Sequence, residues 1–158
     1  MKSVNPILTL IACLAIAATM PLAAQGITLV DGTSSAVYDP TSPLGMTEWN
    51  VGGADHLTSQ SFWVRQNGSD LMEVPLSDIY LGSSGSGNSV AASFGTADYS
   101  IDISYTLTEL TIESAQITES LVIENLSGAE LGLRFLRYNN FDQAANGLDR
   151  RVPARRLI

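Results

Sequence analysis

His56 is the single histidine in the chain, and it directly follows Asp55. An Asp-His pair can orient a nucleophile triad or begin a metal site. A triad also needs a serine raised on a nucleophile elbow, and no G-x-S-x-G occurs. One imidazole among scattered carboxylates supplies too few donors for zinc. His56 therefore reads as a loop histidine after Gly52-Gly53, exposed or hydrogen-bonded. The other chemistry-bearing concentration is Trp49, Phe62, Trp63 and Arg65. In an extended segment Phe62 and Val64 point one way, and Trp63 and Arg65 the other. An indole beside a guanidinium is a flat platform for a sugar ring with paired donors next to it. The simpler structural reading has one tryptophan filling the core, with Arg65 stacked on the other or paired to a carboxylate such as Glu48. Asp98, Asp102, Glu109, Glu113, Glu119 and Glu124 fall on or near neighbouring strands. A pair of them could serve glycoside hydrolysis or hold Ca²⁺. No D-x-D-x-D-G loop is present, and solvated strand faces account for these residues. The sequons Asn67-Gly68-Ser69 and Asn125-Leu126-Ser127 matter only in a eukaryotic host, and the leader described below is bacterial in type. No catalytic residue, metal-ligand set or cofactor loop is assigned, so the expectation is a non-enzymatic protein without a cofactor.

The elements that would position these residues are strands. Residues 26–30 and 33–38 flank Asp31-Gly32, a type I′ hairpin signal. Asp39-Pro40-Thr41-Ser42-Pro43 is a turn cluster. Strands are expected over 47–51, closed by Gly52-Gly53, and over 59–66, closed by Asn67-Gly68. Weaker ones fall over 72–74 and 77–81, with Pro75 marking an edge or a break. Residues 82–88, rich in glycine and serine, read as a long flexible hairpin loop within one domain. The clearest strand is next: Tyr99, Ile101, Ile103, Tyr105 and Leu107 alternate with Ser100, Asp102, Ser104, Thr106 and Thr108. Strands over 110–112, 117–124 and 131–138 follow, and residues 125–130 read as the last hairpin loop. Many short strands without a convincing helix define an all-β protein, an antiparallel β-sandwich. An outer-membrane barrel fits less well, because only one strand has the required length and regularity.

The two ends of the chain carry a different composition. Lys2, then the apolar run 7–18, then Pro21-Leu22-Ala23-Ala24 have the layout of a signal peptide helix, with cleavage expected after Ala24. The apolar run is short of the roughly 20 residues of a membrane anchor. A lipidation reading at Leu10-Ile11-Ala12-Cys13 would leave too short a hydrophobic region before the cut. Cleavage removes the only cysteine and the only lysine and leaves about 134 residues, one modest domain. Between Gln25 and Asp149, three arginines (Arg65, Arg134, Arg137) face sixteen carboxylates, a net −13. Such a body repels nucleic acid and anionic membrane surfaces. The last residues, with Arg150, Arg151, Arg155 and Arg156, show neither strand nor helix periodicity. They read as an irregular Arg-rich tail over 143–158, or as the product of a shifted reading frame.

Three segments carry a family resemblance. They are Thr47-Glu48-Trp49-Asn50-Val51-Gly52-Gly53-Ala54-Asp55-His56-Leu57, Ser61-Phe62-Trp63-Val64-Arg65, and Ile123-Glu124-Asn125-Leu126-Ser127-Gly128 followed by Phe135-Leu136-Arg137-Tyr138-Asn139-Asn140-Phe141-Asp142. In order and spacing they resemble secreted bacterial β-rich proteins of the PEP-CTERM-associated, exosortase-sorted type. The resemblance covers about 26–142. It implies that family-like strands and a sorting helix would follow Asp142, so the domain is expected to be incomplete there. It carries over no catalytic residue. Trp49, Asp55, His56, Trp63 and Arg65 occupy motif positions and are the candidate ligand-binding residues.

The expectation is thus a signal peptide over 1–24, a β-sandwich domain over 25–142 and the tail over 143–158. The protein would be secreted or held at the cell surface, with the periplasm as the other location. It would meet signal peptidase during export and extracellular polysaccharide afterwards, with no nucleic acid partner and no stable membrane insertion after cleavage. A structural or adhesive, exopolysaccharide-associated role leads. A carbohydrate-binding module using Trp63 and Arg65 is second, and a glycoside hydrolase-like enzyme is a distant third.

Overall fold

The computed structural model describes residues 26–68 and 72–142. The expected signal peptide over 1–24 and the Arg-rich tail over 143–158 lie outside the described residues, as does Gln25 at the start of the expected domain. The described chain forms β1 (Ile27–Asp31), β2 (Ser34–Asp39), β3 (Gly45–Val51), β4 (Ala54–Asp55), β5 (Leu57–Gln66) and β6 (Val74–Pro75). A single 3₁₀ turn over Leu76–Ile79 leads to β7 (Tyr80–Ser86), β8 (Ser89–Gly95), β9 (Tyr99–Thr111), β10 (Ser114–Asn125) and β11 (Leu133–Phe141). Two sheets result. One runs β1-β2-β3-β5-β11, with β4 beside β3 and β6 beside β5, and the other runs β10-β9-β8-β7. The pairing is antiparallel except for one parallel contact, where Gly45 and Met46 meet Gln60. This is the all-β sandwich that the alternation predicts. No helix among the described residues is long and apolar enough to cross a membrane.

Period-two burial explains the layering. Tyr99, Ile101, Ile103, Tyr105 and Leu107 of β9 are all buried, while Asp102, Thr106 and Thr108 on the other face are exposed. On β8, Val90, Ala92 and Phe94 share the buried face, in register with Tyr105, Ile103 and Ile101. The opposing sheet contributes Leu29, Ala36, Tyr38, Met46, Leu57, Phe62 and Val64 to the same core. The layers lock where Tyr38 meets Tyr105 edge to face, with ring centroids 5.0 Å apart.

Polar ties close one end. Glu109 on β9 accepts the Thr33 amide at 2.6 Å and the Thr33 and Ser34 hydroxyls at 2.9 and 3.0 Å, while its own amide donates to Asp31 at 2.8 Å. The side-chain and backbone hydrogen bonds from Thr33 hold the Glu109 carboxyl below its ordinary value. Glu109 is thus a clamp on the β1–β2 turn rather than a member of a solvated strand face. At the same end Val30 donates to Gly87 across the sheets, and Asn88 and Leu107 exchange hydrogen bonds.

Several local expectations shift. The β1–β2 hairpin forms, but its loop is Gly32-Thr33. Only Gly32 has a positive φ (59°), which fits a II′ rather than an I′ turn. The glycine-serine run over 82–88 does make a hairpin, but its loop is only Gly87-Asn88: β7 extends to Ser86, and Ser83, Ser84 and Gly85 pair with Ala92, Ala91 and Val90. A Cβ at Gly85 would lie 3.1 Å from both Ile27 and Val90, so this glycine lets β1 pack closely over the strand. Residues 110–111 extend β9 rather than starting a new strand. The connection after β10 is not a hairpin, because β10 pairs with β9 while β11 pairs with β5 in the other sheet. Among the described residues, β10 and β11 each pair on one side only. Leu121, Val122, Ile123, Tyr138 and Phe141 are exposed along these two edges.

Gly45 gives a direct test of the layering. It has φ +65°, and a Cβ there would run into the Gln60 carbonyl oxygen, whereas Gly53 (φ +81°) has open space around it. Gly53→Ala should cost about 1–2 kcal/mol, the left-handed backbone penalty alone. Gly45→Ala should cost clearly more, read as a lower urea midpoint at unchanged m-value.

Candidate ligand-binding face

The five candidate residues separate into two places. Trp49, Asp55 and His56 surround the turn at Gly52 and Gly53 (φ +60° and +81°) that folds β4 back on β3. One carboxylate oxygen of Asp55 accepts the amides of Trp49 at 3.0 Å and Leu57 at 3.1 Å. The His56 amide donates to the Trp49 carbonyl at 2.8 Å, and the Asp142 amide to the His56 carbonyl at 3.0 Å. The His56 ring stands edge-on to Trp49, with centroids 6.2 Å apart. Trp49 is in register with the fully buried Ala36 and packs against the core. Its indole N–H is buried without a hydrogen-bond partner among the described residues, an unpaired donor that the packing of the ring outweighs. This cluster is a clasp on a tight turn. Among the described residues no three of His, Cys, Asp and Glu are grouped as a metal ion would require.

Trp63 and Arg65 lie elsewhere, on the outward face of β5. Phe62 and Val64 are buried in the core, so their neighbours must point out. Antiparallel pairing sets Leu136 opposite Trp63 and Arg134 opposite Arg65, with Tyr138 opposite Ser61. The Tyr138 ring, 55% exposed, meets Trp63 edge to face at 6.2 Å. On the other side Trp63 pairs with Pro75 of β6, a short edge strand where the missing amide is tolerated. Glu73, just before β6, lies 3.4 Å from Arg134 and 4.0 Å from Arg65. Glu48, the partner anticipated for Arg65, instead accepts a hydrogen bond from Asn50. The face therefore presents one partly exposed indole, one exposed phenol and two guanidinium groups that share a carboxylate.

A third cluster lies between the sheets and was missed in the sequence. Gln60 donates to Glu119 and, at 3.3 Å, to the Tyr105 hydroxyl. Arg137 reaches Glu119 at 3.2 Å, and its guanidinium carbon sits 5.7 Å from the Phe62 ring centroid. Burial pushes the Tyr38 and Tyr105 phenols above their ordinary value, and the Glu119 charge adds to the effect. Glu119 itself is raised by burial, with Arg137 partly opposing. It is therefore not a solvated strand-face carboxylate. The signal was its phase: Glu119 follows Ala115 and Ile117 at period two, as Gln60 precedes Phe62 and Arg137 follows Phe135.

Comparison of the chain with protein-family models, with curated protein sequences and with solved structures finds no match.

The raised Glu119 fixes the sign of one pH effect. The folded state holds the Glu119 proton more tightly than the unfolded chain does. The stabilisation is therefore complete below the ordinary glutamate value of 4.5 and is lost as pH rises through the raised value. Glu119→Gln cannot titrate. Its urea midpoint minus that of the natural chain should increase between about pH 4 and pH 7, and a flat difference would contradict the assignment.

Proposed function

We propose that this chain is an exported, non-enzymatic β-sandwich protein of the cell surface or extracellular space, associated with polysaccharide through the outward face of β5 and β11. The observation that carries this reading is the position of Trp63. It lies outside the core, between Tyr138 and Pro75, and on the same face as Arg65. An indole held at a sheet surface offers its apolar face to the C–H side of a pyranose, and neighbouring guanidinium donors can engage ring substituents. Trp49 supports the assignment by contrast, since its ring packs against the core and cannot serve the same face. A hydrolase reading has less support, because the most perturbed carboxylate, Glu119, is engaged by Arg137 and Gln60. Export is supported by the leader composition over 1–24 and by a body whose charge suits solution outside the cell.

Two measurements test this reading. In affinity electrophoresis through neutral and acidic polysaccharides, the natural chain should be retarded by at least one. Trp63→Ala should weaken that retention by about threefold to tenfold, the loss of one aromatic contact. Its stability should change by less than about 1 kcal/mol, as for one cross-strand surface pair. Absence of retention in every polysaccharide would overturn the binding role. Separately, the protein recovered from the medium of an expressing bacterium should have an intact mass beginning at Gln25, and recovery of only the uncut chain in the cytosol would overturn export.

A further inference from the structure

We infer that the sugar taken by the Trp63 face carries a carboxylate, so that the ligand is a uronate-containing polysaccharide. This inference rests on the polysaccharide reading above and narrows it to a substrate class.

Charge placement is the first argument. The three arginines between Gln25 and Asp149 all lie on β5 and β11, in a stretch that is otherwise uncharged or acidic. Arg137 is turned inward and paired with Glu119. Arg65 and Arg134 face outward and stand directly opposite each other in register. Like charges at such a position are unfavourable by themselves. The only carboxylate that meets them among the described residues is Glu73. Among the described residues, two guanidinium groups around one carboxylate leave a local surplus of one positive charge, with side chains 34% and 50% exposed.

The geometry of that trio is the second argument. Glu73 already occupies the kind of position a bound carboxylate would take, and it satisfies the pair incompletely. It is within hydrogen-bonding distance of Arg134, but only at the long limit of ion pairing with Arg65. Among the described residues Arg65 makes no closer polar contact, and its side chain is 34% exposed. Arginine presents a planar fork that matches a carboxylate with two parallel hydrogen bonds.

Reach is the third. Trp63 and Arg65 are two residues apart on one strand face, a rise of about 6.5–7 Å. A pyranose ring resting on the indole projects its exocyclic group by a few ångströms, and the flexible arginine arm covers the remainder. A neutral sugar would place only a hydroxymethyl group there. A densely charged polyanion fits poorly, because a body with a net charge of −13 repels it and one surplus charge cannot compensate. A single carboxylate on an otherwise uncharged ring matches what the face provides.

The experiment compares two probes of equal length, a β-glucan oligosaccharide in which one glucose is replaced by glucuronate and the same oligosaccharide without the replacement, by calorimetric titration of the full mature chain. The natural protein should bind the uronate at least several-fold more tightly. Glu73→Gln, which is isosteric, removes the competing carboxylate and should raise the uronate-to-glucan affinity ratio by about 2–5-fold. Arg134→Gln should lower that ratio by a similar factor, and the double change Arg65→Gln with Arg134→Gln should bring it near unity. Equal binding of both probes by the natural chain, or a ratio that falls in Glu73→Gln, would overturn the inference while leaving polysaccharide binding in place. Binding of neither probe would overturn the inference and count against the reading beneath it. Because the Glu73→Gln arm predicts a gain, loss of folding in an arginine variant cannot imitate it.

Discussion

The inward face of β9 is the constraint on which this sandwich depends. Five consecutive inward positions, Tyr99 to Leu107, are buried to 4% exposure or less, and they supply both aromatic bulk and branched aliphatic shape. β8 answers Ile103 with Ala92, and Tyr105 with Val90. The turn between β1 and β2 is clamped by Glu109 from the same strand. Shifting β9 by one residue would expose this face and bury Asp102, Thr106 and Thr108, so its register cannot drift without loss of the core.

Placing Tyr105 at the centre of that face creates a secondary demand. A buried phenol needs a partner for its hydroxyl. Gln60 supplies it, and Gln60 in turn engages Glu119, which draws Arg137 inward over Phe62. The polar seam therefore joins β9 and β10 to β5 and β11 through buried Gln60, Tyr105 and mostly buried Glu119, closed on the solvent side by the partly exposed Arg137. Removing Gln60 or Arg137 would leave the largely buried Glu119 short of a partner, while Arg137 keeps access to solvent. The outcome is orientational: with Gln60, Phe62 and Val64 committed to the interior, Trp63 and Arg65 must face outward. The exposed face thus follows from the packing of the hidden one.

Much of this was legible at the level of single strands. The alternation over 99–108 identified β9, and the order Phe62-Trp63-Val64-Arg65 already separated inward from outward side chains. Relations between strands were not legible. Which carboxylate meets Arg65 depends on β6 lying beside β5, so Glu73 rather than Glu48 holds that place. The turn residues over 125–130 mark a reversal but do not say that the next strand joins the opposite sheet. The glycine-serine composition of β7 signals flexibility locally, yet ladder bonds to β8 and close packing under Ile27 override it. Asp55 beside His56 suggested chemistry because adjacency in sequence cannot show that one carboxylate oxygen is already used by two backbone amides.

The two families of charge are sorted by the same packing. β9 and β10 carry Asp102, Glu109, Glu119 and Glu124 and no base, while β5 and β11 carry Arg65, Arg134 and Arg137 and no acid. Glu119 and Arg137 are the only members of these sets that meet between the sheets among the described residues, and they bind the layers together. Arg65 and Arg134 are left on the outside of the opposite layer, where among the described residues Glu73 alone relieves them. Among the described residues, an acidic β-sandwich acquires a small positive face in this way. Packing of the inward face of β5 and β11 thus sets the two outward guanidinium groups beside Trp63 and Tyr138, where their charge is only partly neutralised among the described residues.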